Sequence, residues 1–486
     1  MDTMSEFLKA STAGRLRMAA DASLEAALLG LLGQAGLDDY RRLAGSTDSS
    51  HLSIEHATNL VFVPGVTGSL LRSRTMGGVW WLDLRSLNRL NNLRLQSDGL
   101  HDASAGDAIV PFAVDTTYEP FLTAVLNHPD FGHEVFPYDW RKPLAASTDA
   151  LRDLIEATYA HNGHQPVHLV AHSMGGLLVR HTLMQHDALW SRVGRIVFIG
   201  TPHYGSQSIG GYLKNHLWGF DEMALLGKYL SRETFRSMWG ALSLLPAPRG
   251  LYPGTRPDDA DPWRHDGLPY AHPCANFDIY DAAAWQLDLS PAQASALQVI
   301  LDAAAQMHRD LDSWHGTLPP AKRARMLMIA GVGYQTLFRL EYEDVAFGLW
   351  ERMAKVTGRR PGDRHRDGDG RVPLASALLP DIETRYVRGV HAGLTNIPQV
   401  YDDVFRWLAE ETLRLADDPD AALSQHLADD ESASAAPALD GTDRAQPFSD
   451  DPGYLDLRAV DSSELERLDA ELEQGRLPDF QRLKLL

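Results

Sequence analysis

Short apolar runs rich in β-branched residues recur along the chain, each followed by a polar or glycine-rich turn and then an amphipathic stretch. The runs lie in Asn59–Leu71 (NLVFVPGVTGSLL), His133–Arg141, Val167–His172, Val193–Ser206, Ala324–Gly333 and Glu383–His391. Between them, Ala145–Tyr159 carries Leu151, Leu154 and Ile155 at helical spacing, Met174–Met184 follows a strand directly, and Leu394–Leu415 reads as a closing helix. Buried strands alternating with helices predict an α/β fold, a mainly parallel sheet with helices on both faces.

The rhythm is interrupted at both ends and once inside. Residues 1–50 read as an Ala/Leu-rich helical extension. From about 207 to 320, Trp218, Phe220, Phe235, Met238, Trp239 and Leu242–Pro246 precede a Pro/Asp-rich loop, which reads as a cap or lid inserted over the sheet's C-terminal edge. The body is therefore expected over 51–415. Residues 416–455 read as an acidic linker and 456–486 as a helical tail, where Ser463 and Glu466 have capping-box spacing. The sequence contains no internal repeat.

Composition narrows the partners. The formal net charge of −20 excludes a basic nucleic-acid-binding face and disfavours electrostatic attraction to anionic membranes. Of that charge, −12 falls in residues 411–486, so the body is only mildly acidic. The single cysteine, Cys274, rules out an intrachain disulfide and suits a reducing compartment. Beside Pro273 and away from any strand-to-helix turn, it reads as a small buried residue rather than a nucleophile. Early Asp2 and Glu6 do not fit a secretory signal, and Leu24–Leu37 is short and broken by Gly30, Gly33 and Gly36. A cytoplasmic protein without a transmembrane segment is expected, with peripheral membrane contact left open.

Candidate chemistry sits where strands end. In VHLVAHSMGGLLVRH (Val167–His181), a strand stops at Ser173, glycines follow at once, and an apolar helix begins. Such a sharp bend holds a serine hydroxyl in the open. A serine needs an imidazole to take its proton, a carboxylate to orient that imidazole, and N–H donors for the oxyanion. Asp369, in DGDGRVP before the last strand, and His391, at that strand's end, supply the chain order serine, acid, histidine. Each has a plainer reading: a turn residue, a loop of turn formers, a strand-end histidine. Asp363, His365, Asp367 and Gly368 also approximate the opening of an EF-hand, but Leu374 stands where the bidentate glutamate would be, so no metal site is expected. The chemistry needs no cofactor.

The ordered motifs VFVPGVTGSLL, WWLDL, YDWR, AHSMGG, FIGTPHYGS, MWGALSLLP, DGDGRVP and the final VH resemble the lecithin:cholesterol acyltransferase (LCAT)-like family of α/β-hydrolases, which includes lysosomal phospholipase A2-type enzymes. The likeness covers roughly residues 58–410. It implies Ser173 as nucleophile, Asp369 as acid, with Asp367 as the fallback, and His391 as base. It also implies an oxyanion hole from the backbone N–H groups of Val66 and Met174. Trp80 and Trp81 lie near the acyl or lid region or else pack the core, and Trp239 joins them as a candidate for substrate contact. Asp139 and Arg141 are expected as a structural pair. The chain departs from the family in having Ala171 where the elbow usually begins with glycine, and in lacking the disulfides of animal members.

The resulting expectation is a serine-dependent ester hydrolase or acyltransferase acting on a lipid-like acyl ester. An amide or thioester enzyme of the same fold, and a hydrolase-fold interaction protein docking through its acidic tail, are the alternatives. If the tail is separate from the body, truncation near residue 418 leaves esterase activity intact; loss of folded protein shows that the tail belongs to the core.

Overall fold

The computed structural model describes residues 10–47, 58–75, 79–81, 84–104, 108–214, 230–256, 274–275, 277–334, 336–345, 348–355 and 368–424, together with Thr3, Glu6 and Phe7. The strands are β1 (Thr58–Val63), β2 (Ser69–Ser73), β3 (Val79–Trp81), β4 (Ile109–Val114), β5 (Gly132–Val135), β6 (Val167–His172), β7 (Val193–Ile199), β8 (Met326–Val332), β9 (Leu337–Val345), β10 (Gly348–Lys355) and β11 (Glu383–Arg388). Six of them form one parallel sheet in the order β11-β8-β7-β6-β1-β5. Strand β8 is buried at every position, as an inner strand covered on both faces must be. The helices that matter here are α1 (Thr12–Ala20), α2 (Glu25–Ser46), α3 (Glu119–Asn127), α4 (Ala145–His161), α5 (Met174–Gln185), α6 (Gln207–Lys214), α7 (Pro291–Thr317) and α8 (Pro398–Leu408).

Side-chain alternation along the strands divides the core. Leu169 and Ala171 of β6 join a cluster with Leu151 of α4, Leu177 of α5 and Leu301 of α7. Val170, between them, joins Phe121 of α3 and Val400 and Val404 of α8 in a second cluster. Successive residues of one strand thus serve opposite faces, which fixes the register of the sheet against its helices.

The N-terminal helices pack onto an antiparallel sheet, β3-β2-β4, through Leu16, Leu28, Leu32 and Tyr40 against Leu70, Val79 and Ala113. Arg15 Nη1 donates to Glu119 Oε1 at 2.6 Å in a fully buried pair, tying α1 to the start of α3. The Asp139–Arg141 pair is also buried: Nε and Nη2 bind the two carboxylate oxygens at 2.8 and 2.7 Å, and Nη1 reaches Asp102 Oδ1 at 2.9 Å. That fork clamps the 93–102 loop to the body.

Two expectations change at the C-terminal end. The closing helix is shorter than Leu394–Leu415: α8 starts at Pro398 and stops at Leu408. The fully buried Asp403 carboxylate then accepts the N–H groups of Arg414 and Leu415, turning the chain back. Beyond 415 the chain stays packed, with Ala416 bridging Tyr386 and with Ala422 and Leu423 in a cluster with Val332 and Leu374. The packed body therefore reaches Leu423, and a cut at 418 removes part of a core. Residues 425–486 lie outside the described residues, as do Trp218, Phe220, Asp363, His365 and Asp367. Among the described residues no helix is long and apolar enough to cross a membrane.

The 27-residue α7 dominates the described part of the 207–320 segment and begins with a reciprocal capping box between Ser290 and Gln293. Buried histidines fasten it: His308 Nε2–H donates to the Leu245 carbonyl and His315 Nε2–H to that of Pro380, each at 2.9 Å. Burial pushes both down to about 4, so both are neutral in the fold. An unfolded histidine titrates near 6.5, so below that pH the unfolded chain binds more protons and stability falls as pH drops toward 4. The urea midpoint is expected to hold between pH 8 and 7 and to drop between 6.5 and 5, with a shallower drop in His308→Gln. A flat midpoint down to pH 5 contradicts this assignment.

Candidate active site

Strand β6 ends at His172, and the next residue breaks the extended backbone. Ser173 has φ 52° and ψ −128°, a conformation that costs free energy for any side chain with a Cβ. It persists because both flanks are fixed. Ser173 N–H donates to the Ile199 carbonyl of β7 at 2.9 Å, and α5 begins at Met174. The glycines that follow allow the helix to sit on the strand tips. A methyl group on Gly175 would overlap the carbonyl oxygens of Val63 and Pro64, and one on Gly176 would overlap Thr201. Ala171, by contrast, points into the core between its partners Val63 and Phe198, where a methyl fits.

Asp369 and His391 arrive from the other end of the chain. His391 opens a short 3-10 turn after β11, and its N–H donates to the Asp369 carbonyl at 2.8 Å. The Asp369 carboxylate is buried. Its Oδ1 accepts the N–H groups of Val372 at 2.7 Å and Arg371 at 3.0 Å, a turn that Gly370 permits with φ +89°. Its Oδ2 lies 2.7 Å from His391 Nδ1, and His391 Nε2 lies 2.8 Å from Ser173 Oγ. With the carboxylate accepting, the ring carries its proton on Nδ1 and presents a bare Nε2 to the serine hydroxyl. The row Ser173–His391–Asp369 is continuous, and Ser173 faces a cavity of about 450 Å³ lined also by Val66, Trp81, Ile209, Tyr212 and Leu244.

The loop after β1 closes over the serine. An added Cβ at Gly65 would stand 2.9 Å from Ser173 Cβ, so only glycine lets this backbone approach. That approach brings the adjacent Val66 to the cavity wall. The Met174 N–H, in the first turn of α5, belongs to the amides with no partner inside the helix.

The three tryptophans separate. Trp81 lines the cavity, with its Nε1–H donating to the Thr67 carbonyl at 3.0 Å and its ring edge-on to Trp140. Trp80, its neighbour on a strand, points the opposite way into the core with no exposure. Trp239 is half-buried against Gly99, whose missing side chain leaves room for the indole, and does not line this cavity. Cys274 is fully buried, accepts from Gln207 Nε2 at 3.0 Å, and has its thiol pushed up by burial, away from nucleophilic use. Among the described residues no group of three His, Cys, Asp or Glu side chains is placed to hold a metal ion.

The structure adds residues that motif reading passes over. Tyr40, Arg42 and Leu43 of α2 line the same cavity, so the N-terminal helices contribute to its wall. Their own segment carries no sign of this, because the contact exists only after α2 packs on β2-β3-β4. Tyr118 and His172 also join the site. His172 Nδ1 lies 3.0 Å from the Tyr118 hydroxyl, and its Nε2 lies 3.0 Å from the His391 carbonyl. His172 was visible as the residue before the serine, whereas Tyr118 sits in an unremarkable turn before α3.

A sequence model described as lecithin:cholesterol acyltransferase matches residues 132–247, which contain β6, Ser173 and α5. No curated protein matches the chain. Among solved structures, the chain is similar to one from the Tle4–Tli4 complex at 15% identity, covering 72% of this chain and 97% of that one with a TM-score of 0.42. It is similar to the mature Bacillus licheniformis lipase BlEst2 at 15% identity, with 73% and 95% covered and a TM-score of 0.33. For the Bacillus subtilis carboxylesterase CesB the values are 13% identity, 74% and 86% covered, and a TM-score of 0.29.

Proposed function

Taking the chain as an LCAT-like α/β-hydrolase, we propose that it is a serine-dependent ester hydrolase or acyltransferase that works through an acyl-enzyme on Ser173. The observation that carries this reading is the unbroken Ser173–His391–Asp369 row, at 2.8 and 2.7 Å, at the wall of a cavity.

In this reading Ser173 Oγ attacks the ester carbonyl carbon while its proton passes to His391 Nε2. Asp369, held by two backbone amides, keeps the imidazole in the required tautomer and offsets the positive charge that forms on it. The N–H groups of Val66 and Met174 receive the oxyanion. The tetrahedral intermediate collapses, the C–O bond to the alcohol breaks, and the alcohol leaves with the proton from His391. Water or a second alcohol then attacks the acyl-enzyme, with His391 taking its proton and returning it to Ser173.

Ile209, Tyr212 and Leu244 on the cavity wall favour a lipid-like acyl chain. Hydrolysis and transfer use the same residues, and the occupant of the cavity at the second attack decides between them.

Ser173→Ala is expected to lower kcat on p-nitrophenyl octanoate by about 10⁴-fold or more. Asp369→Asn is expected to lower it by roughly 10³- to 10⁴-fold through the wrong His391 tautomer. Circular dichroism checks that both variants remain folded. Product analysis with added long-chain alcohols separates transfer from hydrolysis. A folded Ser173→Ala variant that retains a tenth of wild-type activity overturns the assignment.

A further inference from the structure

We infer that Tyr118 and His172 are positioning residues, a single chain of directed hydrogen bonds that ties the loop over Ser173 to the backbone of His391. The inference rests on the reading of Ser173 as the nucleophile and assigns roles to two residues outside the proposed chemistry.

The direction of each bond follows from the groups involved. The His391 carbonyl can only accept, so His172 carries its proton on Nε2 and donates it there at 3.0 Å. The Nδ1 of a neutral His172 is then bare and accepts the Tyr118 O–H at 3.0 Å. The Tyr118 oxygen in turn accepts the Gly65 N–H at 3.0 Å. Each donor has one acceptor along the path Gly65, Tyr118, His172, His391, and no proton is left over. Reversing any bond would set two donors or two acceptors against each other.

Burial locks this arrangement. His172 and Tyr118 are both buried, and burial beside His391 pushes His172 down to about 3, so it stays neutral across the working pH range. His172 is therefore not a second base: neither ring nitrogen is open to substrate, and the ring does not titrate near neutrality. The rings are also packed, with Tyr118 edge-on to Phe62 at 4.9 Å and His172 tilted against His391 at 5.0 Å between centroids.

The four linked groups come from the loop after β1, the turn before α3, the end of β6 and the turn after β11. Gly65 precedes Val66, whose N–H is the proposed oxyanion donor, and its backbone lies against Ser173. Holding Gly65 and the His391 main chain through one link keeps the oxyanion donor and the base in register with the serine between them. Geometry of this kind is felt in the transition state more than in ground-state binding. A packing role needs only the rings, whereas this role needs the polar atoms.

The discriminating variant is Tyr118→Phe, which keeps the ring against Phe62 and removes one donor and one acceptor. Expected are a fall in kcat of about 10- to 100-fold with KM within about twofold, and an equal fall in the rate of fluorophosphonate labelling of Ser173. Should Tyr118→Phe fail to fold, His172→Gln, whose amide can both donate and accept, is expected to retain more kcat than His172→Phe. Wild-type labelling and kcat in Tyr118→Phe overturn the inference. So do equal rates in the two His172 variants, or kcat and KM worsening together by similar factors. Absence of label on Ser173 in the wild type overturns instead the reading of the site on which the inference rests.

Discussion

At Ser173 a parallel sheet must hand its chain to a helix within one residue, and the surrounding architecture is arranged to hold that bend. The positive φ is unfavourable locally and is maintained by the ladder bond to Ile199, by the seating of α5 and by the approach of the β1 loop. Gly65, Gly175 and Gly176 are glycine for one shared reason: another backbone or side chain occupies the space a Cβ would need. A conformation held by several elements is rigid, which is what the proposed role of Ser173 as nucleophile requires.

The remaining polar groups are brought to the bend by topology. Ser173 and His391 are 218 residues apart in sequence, yet the order β11-β8-β7-β6 brings their strand ends to the same edge of the sheet. Asp369 reaches the same place through a glycine turn that uses one carboxylate oxygen for structure and leaves the other for the imidazole. The three side chains are themselves buried although Ser173 and His391 border the cavity, so the hydrogen bonds between them are little weakened by water.

What the sequence reveals and what it hides follow from where the information lies. The inner strands are legible because burial on both faces demands continuous apolar runs, as in Met326–Val332. Ser173, Asp369 and His391 are each ordinary turn or strand-end residues taken singly, and are legible as a set because they follow one another in the order serine, acid, histidine. The long α7 escapes because it is alanine-rich and its burial depends on a cap that no local pattern describes. Strands β3 (VWW) and β4 (IVPFAV) are apolar but short, and Pro111 interrupts β4, so their antiparallel pairing with β2 is visible only in the structure. Trp80 and Trp81 cannot be told apart in sequence: both are buried in one core cluster, and only Trp81 also reaches the cavity. The end of the body is misread at 415 because Asp403 turns an apparently terminating chain back onto the core.

The proposed chemistry stands on Ser173 as the carrier of the acyl group. It is tested most directly by quenching the enzyme in acid during turnover of p-nitrophenyl octanoate and mapping the adduct by peptide mass spectrometry. An octanoyl increment is expected on the peptide containing Ser173, formed in a burst and lost as product appears. Turnover without that adduct, or an octanoyl group on another residue with matching kinetics, would contradict this role of Ser173.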